Sequence, residues 1–498
     1  MAHPLILALD QGTTSTRAIL FDLAGQALGE ASRPLAQHYP ADGWVEHDAQ
    51  EIYKAAVTVM AEAVANAGAE MAQVAAIGIT NQRETVVLWD RTTGAPVHRA
   101  IVWQDRRTAS LCETLRRQGA EAHVTEVTGL LIDPYFTGTK LAWMLDHVPD
   151  ARARAEAGDL LAGTIDSWLI WKLTGGKAHV TDATNASRTL LFDIRAQAWS
   201  EAMLDLFKVP RAILPEVRDC AGLFGETEAG LLGRAIPICG VAGDQQAALM
   251  GQGCVAPGQM KATYGTGCFL LVNTGEAAPV SQARLLTTVA ARIDGRTTYA
   301  LEGAIFIAGA AIQWLVEGLG VESPAAAEVL ARRARPDHGV VLVPAFTGLG
   351  APWWDAEARG SLSGLTRDAG LPEIAAAAYD ASAYQTADLI EAMASDAPEA
   401  FGEGSELRID GGMSRSPWFT QRLADLTGQR VARASYEETT ALGAALFAGL
   451  GAGLYPDVEA AAAARPTTEP SAPALDPELR QAGQARWRDA VRRALSHG

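Results

Sequence analysis

Two short aliphatic runs, LILAL and AILF, flank the polar stretch DQGTTST between Leu5 and Asp22. Each run is too brief for a helix of ordinary length and reads as a strand. The residues between them predict a turn, with Gly12 free to take backbone conformations that a Cβ forbids and Thr13, Thr14, Ser15 and Thr16 offering hydroxyl donors around it. Further strand patterns lie at VAAIGIT (Val74 to Thr80), TVVLWD (Thr85 to Asp90), VVLVPAF (Val340 to Phe346) and LRID (Leu407 to Asp410). Between them, AQEIYKAAVTVMAEAVANAG follows Asp48, a ready N-cap, and EIAAAAYDASAYQTADLIEAMASD repeats at helical spacing. The alternation predicts an α/β fold.

The opening pattern returns at KATYGTGCFLLVNT, Lys261 to Thr274: strand, Gly-Thr turn, apolar strand. Two short turns can agree by coincidence, but a repeated device near residues 10 and 265 suggests two similar domains facing each other. A glycine pair, Gly411 and Gly412, follows the LRID strand at a place where backbone can approach a ligand closely. GAIFIAGAAIQWLV, Gly303 to Val316, is flanked by Glu302 and Glu317, contains Gln313 and is shorter than a membrane span, so it predicts a buried helix rich in small residues. Near the end, DVEAAAAARPTTEPSAPALDP reads as a connector, and ELRQAGQARWRDAVRRALSHG as a basic surface helix without chemistry.

A chain of 498 residues is too long for one ordinary core, which makes a cleft between domains the expected place for a ligand. The formal charge of −17 opposes nonspecific binding to nucleic acid or to an anionic membrane, so a phosphate-bearing ligand must be held locally. Five scattered cysteines, never spaced as CxxC, argue against a disulfide framework or a zinc site. Together with the lack of a signal peptide pattern or a membrane-inserting segment, they fit a cytoplasmic protein.

The chain has no G-x-x-x-x-G-K-[ST], complete G-x-G-x-x-G, H-E-x-x-H or protein-kinase catalytic loop. Its candidates are polar residues set in apolar surroundings. Asp10, at a strand end, can hold Mg²⁺ through water, and Arg17 can pair with phosphate. Arg83 and Glu84 in GITNQRETVVLW offer opposite charges to neighbouring hydroxyls, or form a solvated hairpin turn. Asp244 and Gln245 in ICGVAGDQQAALMGQG follow a strand, where α/β proteins put chemistry; as the plainer alternative, Asp244 is a helix N-cap. Trp103 and Tyr135 can cover a ligand's carbon face or pack in the core.

Assembled, these segments resemble the FGGY carbohydrate kinases, and within them the members that act on glycerol. The resemblance runs through ALDQGTTSTRA, GWVEHDAQEIY, GITNQRET, IVWQDRRT, DPYFTGTKLAW, VTDATNASRTLLF, GVAGDQQAAL, TYGTGCFLLVNTG, VPAFTGLGAPWWD and ETTALGAALFAGL, nearly the whole chain. It implies two similar actin/Hsp70-like (ribonuclease H-like) ATPase domains, residues 1–252 and 253–498, with an interdomain cleft and a terminal connector and helix from about residue 453. It implies phosphorylation of glycerol to sn-glycerol 3-phosphate with ATP and Mg²⁺, ADP as the other product, and a homo-oligomer, dimer or tetramer. Position by position, it makes Thr13, Thr14, Ser15 and Arg17 phosphate contacts and places Asp10 near Mg²⁺. It gives Arg83, Glu84, Trp103, Tyr135, Asp244, Gln245 and Phe269 to glycerol, with Asp244 the catalytic base, and Thr266, Gly309, Gln313, Gly411 and Gly412 to the nucleotide.

The segment GETEAGLLGRAIPICG departs from the family by lacking both the phosphorylatable histidine and the G-G-T-R loop for fructose 1,6-bisphosphate found in some members. Ser416 stands where the family has an asparagine near the adenine. The alternatives are a related kinase for erythritol or xylulose, and a noncatalytic nucleotide switch of the actin/Hsp70 type. Retention of Asp244 speaks against the switch.

Overall fold

The computed structural model describes residues 3–336, 338–402, 405–465 and 468–496. Twelve strands make two six-stranded sheets. The first holds β1 (Leu5–Gln11), β2 (Ser15–Phe21), β3 (Ala27–Pro34), β4 (Val74–Asn81), β5 (Ala221–Glu226) and β6 (Pro237–Gly243), in the order β5-β6-β4-β1-β2-β3. The second holds β7 (Met260–Tyr264), β8 (Cys268–Gly275), β9 (Leu286–Ile293), β10 (Arg296–Ile305), β11 (Glu406–Asp410) and β12 (Arg430–Arg433), in the order β9-β10-β8-β7-β11-β12. The helices that matter here are α1 (Ala49–Asn66), α2 (Asp244–Gly251), α3 (Gly309–Leu319), α4 (Leu371–Asp396), α5 (Pro417–Thr427), α6 (Thr439–Gly451) and α7 (Pro477–Ala494).

The two sheets share one plan. An antiparallel hairpin, β1–β2 or β7–β8, takes a third antiparallel strand on one side, β3 or β10. On the other side it takes two parallel strands, β4 and β6 or β11 and β12. The repeated Gly-Thr turns are therefore equivalent corners of a duplicated unit. β1 and β4 are buried on both faces, which explains their continuous aliphatic runs. Asp48 caps α1 by accepting from Gln50 N at 2.8 Å and Glu51 N at 3.3 Å.

Each half lends a helix to the other. α2, which follows β6, packs on β7 and β8 of the second sheet, while α6 lies across β1, β4 and β6 of the first. The two helices cross on glycine: a Cβ at Gly443 would lie 1.8 Å from Ala247 O, and one at Gly251 would lie 1.9 Å from Thr439 O. Gly78 and Gly240 meet α6 in the same way, 2.1 Å from Ala444 O and 2.2 Å from Ala448 N. The small residues of ETTALGAALFAGL are thus needed for backbone to rest on backbone.

Several expectations need correction. TVVLWD forms a strand, Val86–Asp90, but in a separate four-stranded sheet with Leu160–Thr164, so NQRET is a crossing between sheets and not a hairpin turn. GAIFIAGAAIQWLV is not one buried helix. Gly303 to Ile305 finish β10 and α3 begins at Gly309, with Gln313 exposed, because the NH groups of Ala308 to Ala310 are taken by the Gly265–Thr266 carbonyls. VVLVPAF contributes only Val341–Val343, since Pro344 has no NH for a ladder. The connector contains a short helix, Val458–Ala463, capped by Asp457; its residues 466 and 467 lie outside those described. α7 is on the surface as expected, yet Trp487 is fully buried and donates to Asp388 Oδ2 at 2.6 Å. All five cysteines are free and buried, and among the described residues no helix is long and apolar enough to cross a membrane.

Candidate active site

The carboxyl ends of the central strands converge on one cleft. β1 delivers Asp10 and the turn Gly12 to Thr14, β6 delivers Asp244, β7 delivers the turn Gly265 to Gly267, and β11 delivers Asp410 and Gly411. The first turn is closed by Gly12 N donating to Ser15 O at 2.9 Å, and it is joined to the aromatic residues by Trp103 Nε1 donating to Thr13 Oγ1 at 2.9 Å. Arg17 stands opposite Asp10 in the β1–β2 register and pairs with Glu438, just before α6. Burial, then the charges of Glu438 and Asp244, push the Asp10 carboxyl up to about 7 against the opposing pull of Arg17.

Arg83 and Glu84 are both buried, and Glu84 sits at a φ of 61°, so this segment is not a solvated turn. Arg83 is held on every side. Its Nη1 donates to Glu302 Oε2 at 2.6 Å and Gln246 Oε1 at 3.3 Å, its Nη2 to Glu302 Oε1 at 3.1 Å and the Tyr135 hydroxyl at 3.4 Å, and its Nε faces Asp244 Oδ1 at 3.0 Å. Arg188 completes a buried quartet by donating to Glu84 Oε1 at 2.7 Å and Glu302 Oε1 at 3.0 Å. Burial raises the Glu84 carboxyl even between the two arginines. Burial acts on Glu302 in the same direction, but the Arg188 and Arg83 guanidiniums outweigh it and hold that carboxyl at about 2.

Asp244 is the first residue of α2 and not its N-cap, a position taken by Gly243, so its side chain is free to face the cleft and is 32% exposed. Trp103 and Tyr135 meet edge to face, ring centres 5.6 Å apart, and both are half-buried beside Arg83. Gln245 accepts from Lys261, a fully buried lysine whose Nζ also donates to Thr263 Oγ1 at 3.1 Å. Burial lowers the Lys261 pKa against the pull of Asp410 and Asp244. Phe269, on β8, is half-buried against a small apolar cluster that includes Leu249 and Ala290.

Across the cleft the second turn is welded to α3. Thr266 O accepts from Ala308 N at 2.9 Å and Ala310 N at 3.0 Å, while Gly309 N donates to Gly265 O, and a Cβ on Gly309 would lie 2.5 Å from that oxygen. Gln313 is exposed one turn into α3 and donates to Glu317 Oε1 at 2.7 Å. Gly411 has a φ of 85° and stands against Tyr264 O, whereas Gly412 has no atom within 4 Å of where a Cβ would be. Ser416 caps α5, accepting from Phe419 N at 3.0 Å.

Contacts and shared charge thus join Thr13, Trp103, Tyr135, Arg83, Glu84 and Asp244, with Asp10 and Arg17 beside them, whereas Phe269 packs on its own small apolar cluster. Sequence reasoning missed Arg188, Glu302 and Lys261. Glu302 entered it only as a charged flank of the apolar run GAIFIAG, and Arg188 and Lys261, in the mixed stretches NASRTLL and GQMKATY, carried no local signal.

The FGGY N-terminal domain of carbohydrate kinases matches residues 5–251, and the FGGY C-terminal domain matches residues 260–452. The chain belongs to the FGGY family of carbohydrate kinases. It is 58% identical over 491 residues to a glycerol kinase of Alcanivorax borkumensis, covering 98% of each chain. It is 57% identical over 494 residues to a glycerol kinase of Allorhizobium ampelinum, covering 99% of each. Among solved structures, it superimposes on Plasmodium falciparum glycerol kinase with ADP at a TM-score of 0.95 and 33% identity, over 100% of this chain and 99% of that one.

Proposed function

We propose that this chain transfers the γ-phosphoryl group of ATP to a primary hydroxyl of glycerol, giving sn-glycerol 3-phosphate and ADP. The observation that carries the reading is Asp244 facing Arg83 at 3.0 Å beneath the Trp103–Tyr135 pair, one hydrogen bond from the Gly12–Thr14 turn. The names of the similar proteins support it. Arg83, Glu84 and Gln245 offer donors and acceptors to three hydroxyls, while Trp103, Tyr135 and Phe269 cover the carbon atoms. Asp244 accepts the proton of the attacking hydroxyl. Thr13, Thr14, Ser15 and Arg17 hold phosphate oxygens from one wall, and Thr266, Gly309, Gln313, Gly411 and Gly412 hold the nucleotide from the other. Closing the walls keeps water, a competing nucleophile, away from the phosphoryl group.

Asp10 would hold a divalent cation brought in with the nucleotide: it stands at the end of β1, and the Glu438 and Asp244 charges, after burial, lift its carboxyl, a field that a cation would relieve. Bound there, Mg²⁺ would neutralise charge developing on the phosphate oxygens. The domain limits at 252/253, the cytoplasmic location and a dimeric or tetrameric assembly belong to the same reading.

The test is an ATP-coupled assay over glycerol, erythritol, dihydroxyacetone and xylulose, with Asp244→Asn alongside. Glycerol is the preferred substrate, and Asp244→Asn lowers kcat about 10²- to 10⁴-fold, the usual worth of a general base. A preference for a longer polyol, or a variant with near-native kcat, would sink the corresponding half of the proposal.

A further inference from the structure

We propose that Glu302 is a positioning residue for the polyol end of the cleft: from β10 it clamps the Arg83 guanidinium, and Arg188 fixes Glu302, Glu84 and Tyr135 behind it. The inference rests on the glycerol-phosphorylating reading of the site. Both Glu302 oxygens are committed to the Arg83 fork, at 2.6 and 3.1 Å. That leaves Nε and one edge of Nη2 toward Asp244 and Tyr135, the side on which a polyol would enter. Arg188 touches each remaining member: Glu84 at 2.7 Å, Glu302 at 3.0 Å, and the Tyr135 ring with its guanidinium carbon 5.5 Å from the ring centre.

Glu302 comes from the other half of the molecule. Arg83, Glu84, Tyr135 and Arg188 all precede α2, whereas Glu302 lies on β10, paired with Leu271 and Leu286 inside the second sheet. The polyol pocket thus acquires its fixed geometry only from the sheet that carries the nucleotide wall. A fork held bidentately cannot rotate, so its outward N–H groups keep one direction before a substrate arrives.

Glu302→Gln keeps the shape and one acceptor but removes the charge-assisted pair. The expected result is a glycerol KM raised about 10- to 100-fold, the worth of such a hydrogen bond, with the ATP KM within about twofold and kcat at saturating glycerol nearly kept. Glu302→Asp, which preserves charge and withdraws the oxygens by one methylene, raises the same KM. A charge-balanced double variant, Arg188→Gln with Glu302→Gln, separates positioning from folding: its thermal midpoint recovers relative to Glu302→Gln while the glycerol KM stays high. Recovery of both, or a glycerol KM within about twofold of wild type in Glu302→Asp and Glu302→Gln, overturns the proposal. If the single Gln variant does not fold, the double variant and Glu302→Asp carry the same readout. A wild-type chain that turns over another polyol and not glycerol overturns the functional reading alone, and the KM split is then read on that polyol.

Discussion

Adding one methyl group at Gly443 should cost this protein most of its turnover. The Cβ of Gly443→Ala would lie 1.8 Å from Ala247 O, where ordinary van der Waals contact begins near 3.4 Å. α6 and α2 must therefore part locally by about 1.6 Å, since the obstructing atom is backbone and has no rotamer to escape into. Gly251 on the facing helix is equally tight, so the strain cannot be relieved by sliding toward it. Overpacking of this kind costs about 1–3 kcal/mol of stability. The larger effect falls on chemistry: Ala247 is one turn from Asp244 on the same short helix, and a misplacement of about 1 Å can cost roughly 10²-fold in rate. The assay is steady-state kinetics with thermal unfolding, on Gly443→Ala and on Gly230→Ala, where no atom lies within 4 Å of the new Cβ. We expect a lower midpoint and a kcat reduced about 10²-fold for the first, and neither change for the second. A Gly443→Ala protein with native kcat and native midpoint would refute both the backbone contact and its role in holding Asp244.

Asp10 supplies a pH signature. Its folded pKa, about 7, lies above the ordinary 3.8, so the group gains a proton on folding. Its penalty on the fold is absent below about 4 and complete above about 7; the stability of the ligand-free protein should fall across that window as pH rises, and Asp10→Asn should flatten the slope in urea unfolding. Trp487→Phe keeps the bulk that anchors α7 but leaves Asp388 without its buried donor, so unfolding free energy should drop by about 1–3 kcal/mol with kcat unchanged. Trp103→Phe removes the N–H that Thr13 accepts, and both glycerol and ATP KM should rise; a rise confined to glycerol would mean that the indole only covers the polyol.

Local patterns carried what depends on neighbouring residues. LILAL, AILF and VAAIGIT are central strands because every face of them is covered, and an uninterrupted aliphatic run is the direct record of that burial. The Gly-Thr turns are equivalent because β1–β2 and β7–β8 occupy equivalent places in two sheets. Periodicity did not say which sheet TVVLWD would join, so a crossing looked like a hairpin. The run from Gly303 to Val316 was equally apolar on both sides of a strand-to-helix break, and nothing local marked the break at Ala308. The site was legible where a charge stood in a polar stretch, as at Arg83, Glu84 and Asp244. It was not legible at Glu302, because its partner Arg83 is 219 positions away and only the assembled halves bring the two together.

That pairing is hard to explain by stability. Buried ion pairs repay their desolvation poorly, and apolar replacements of the same volume are often neutral or stabilising. Four buried charges at the seam between the halves are therefore better understood by what an apolar seam cannot supply, a direction. Arg83 has two donors fixed by Glu302 and a third facing Asp244, so the proposed base and the proposed polyol ligand are each other's partner until a hydroxyl separates them. An entering primary hydroxyl must exchange that contact for two of its own, accepting from Arg83 and donating to Asp244. Both exchanges draw the oxygen toward the carboxylate that takes its proton. Because the clamp comes from the second sheet, loosening the α2–α6 crossing should blur this geometry as well as displace Asp244. The Gly443 and Glu302 variants would then interact, with a combined effect on glycerol use that departs from the product of the separate ones.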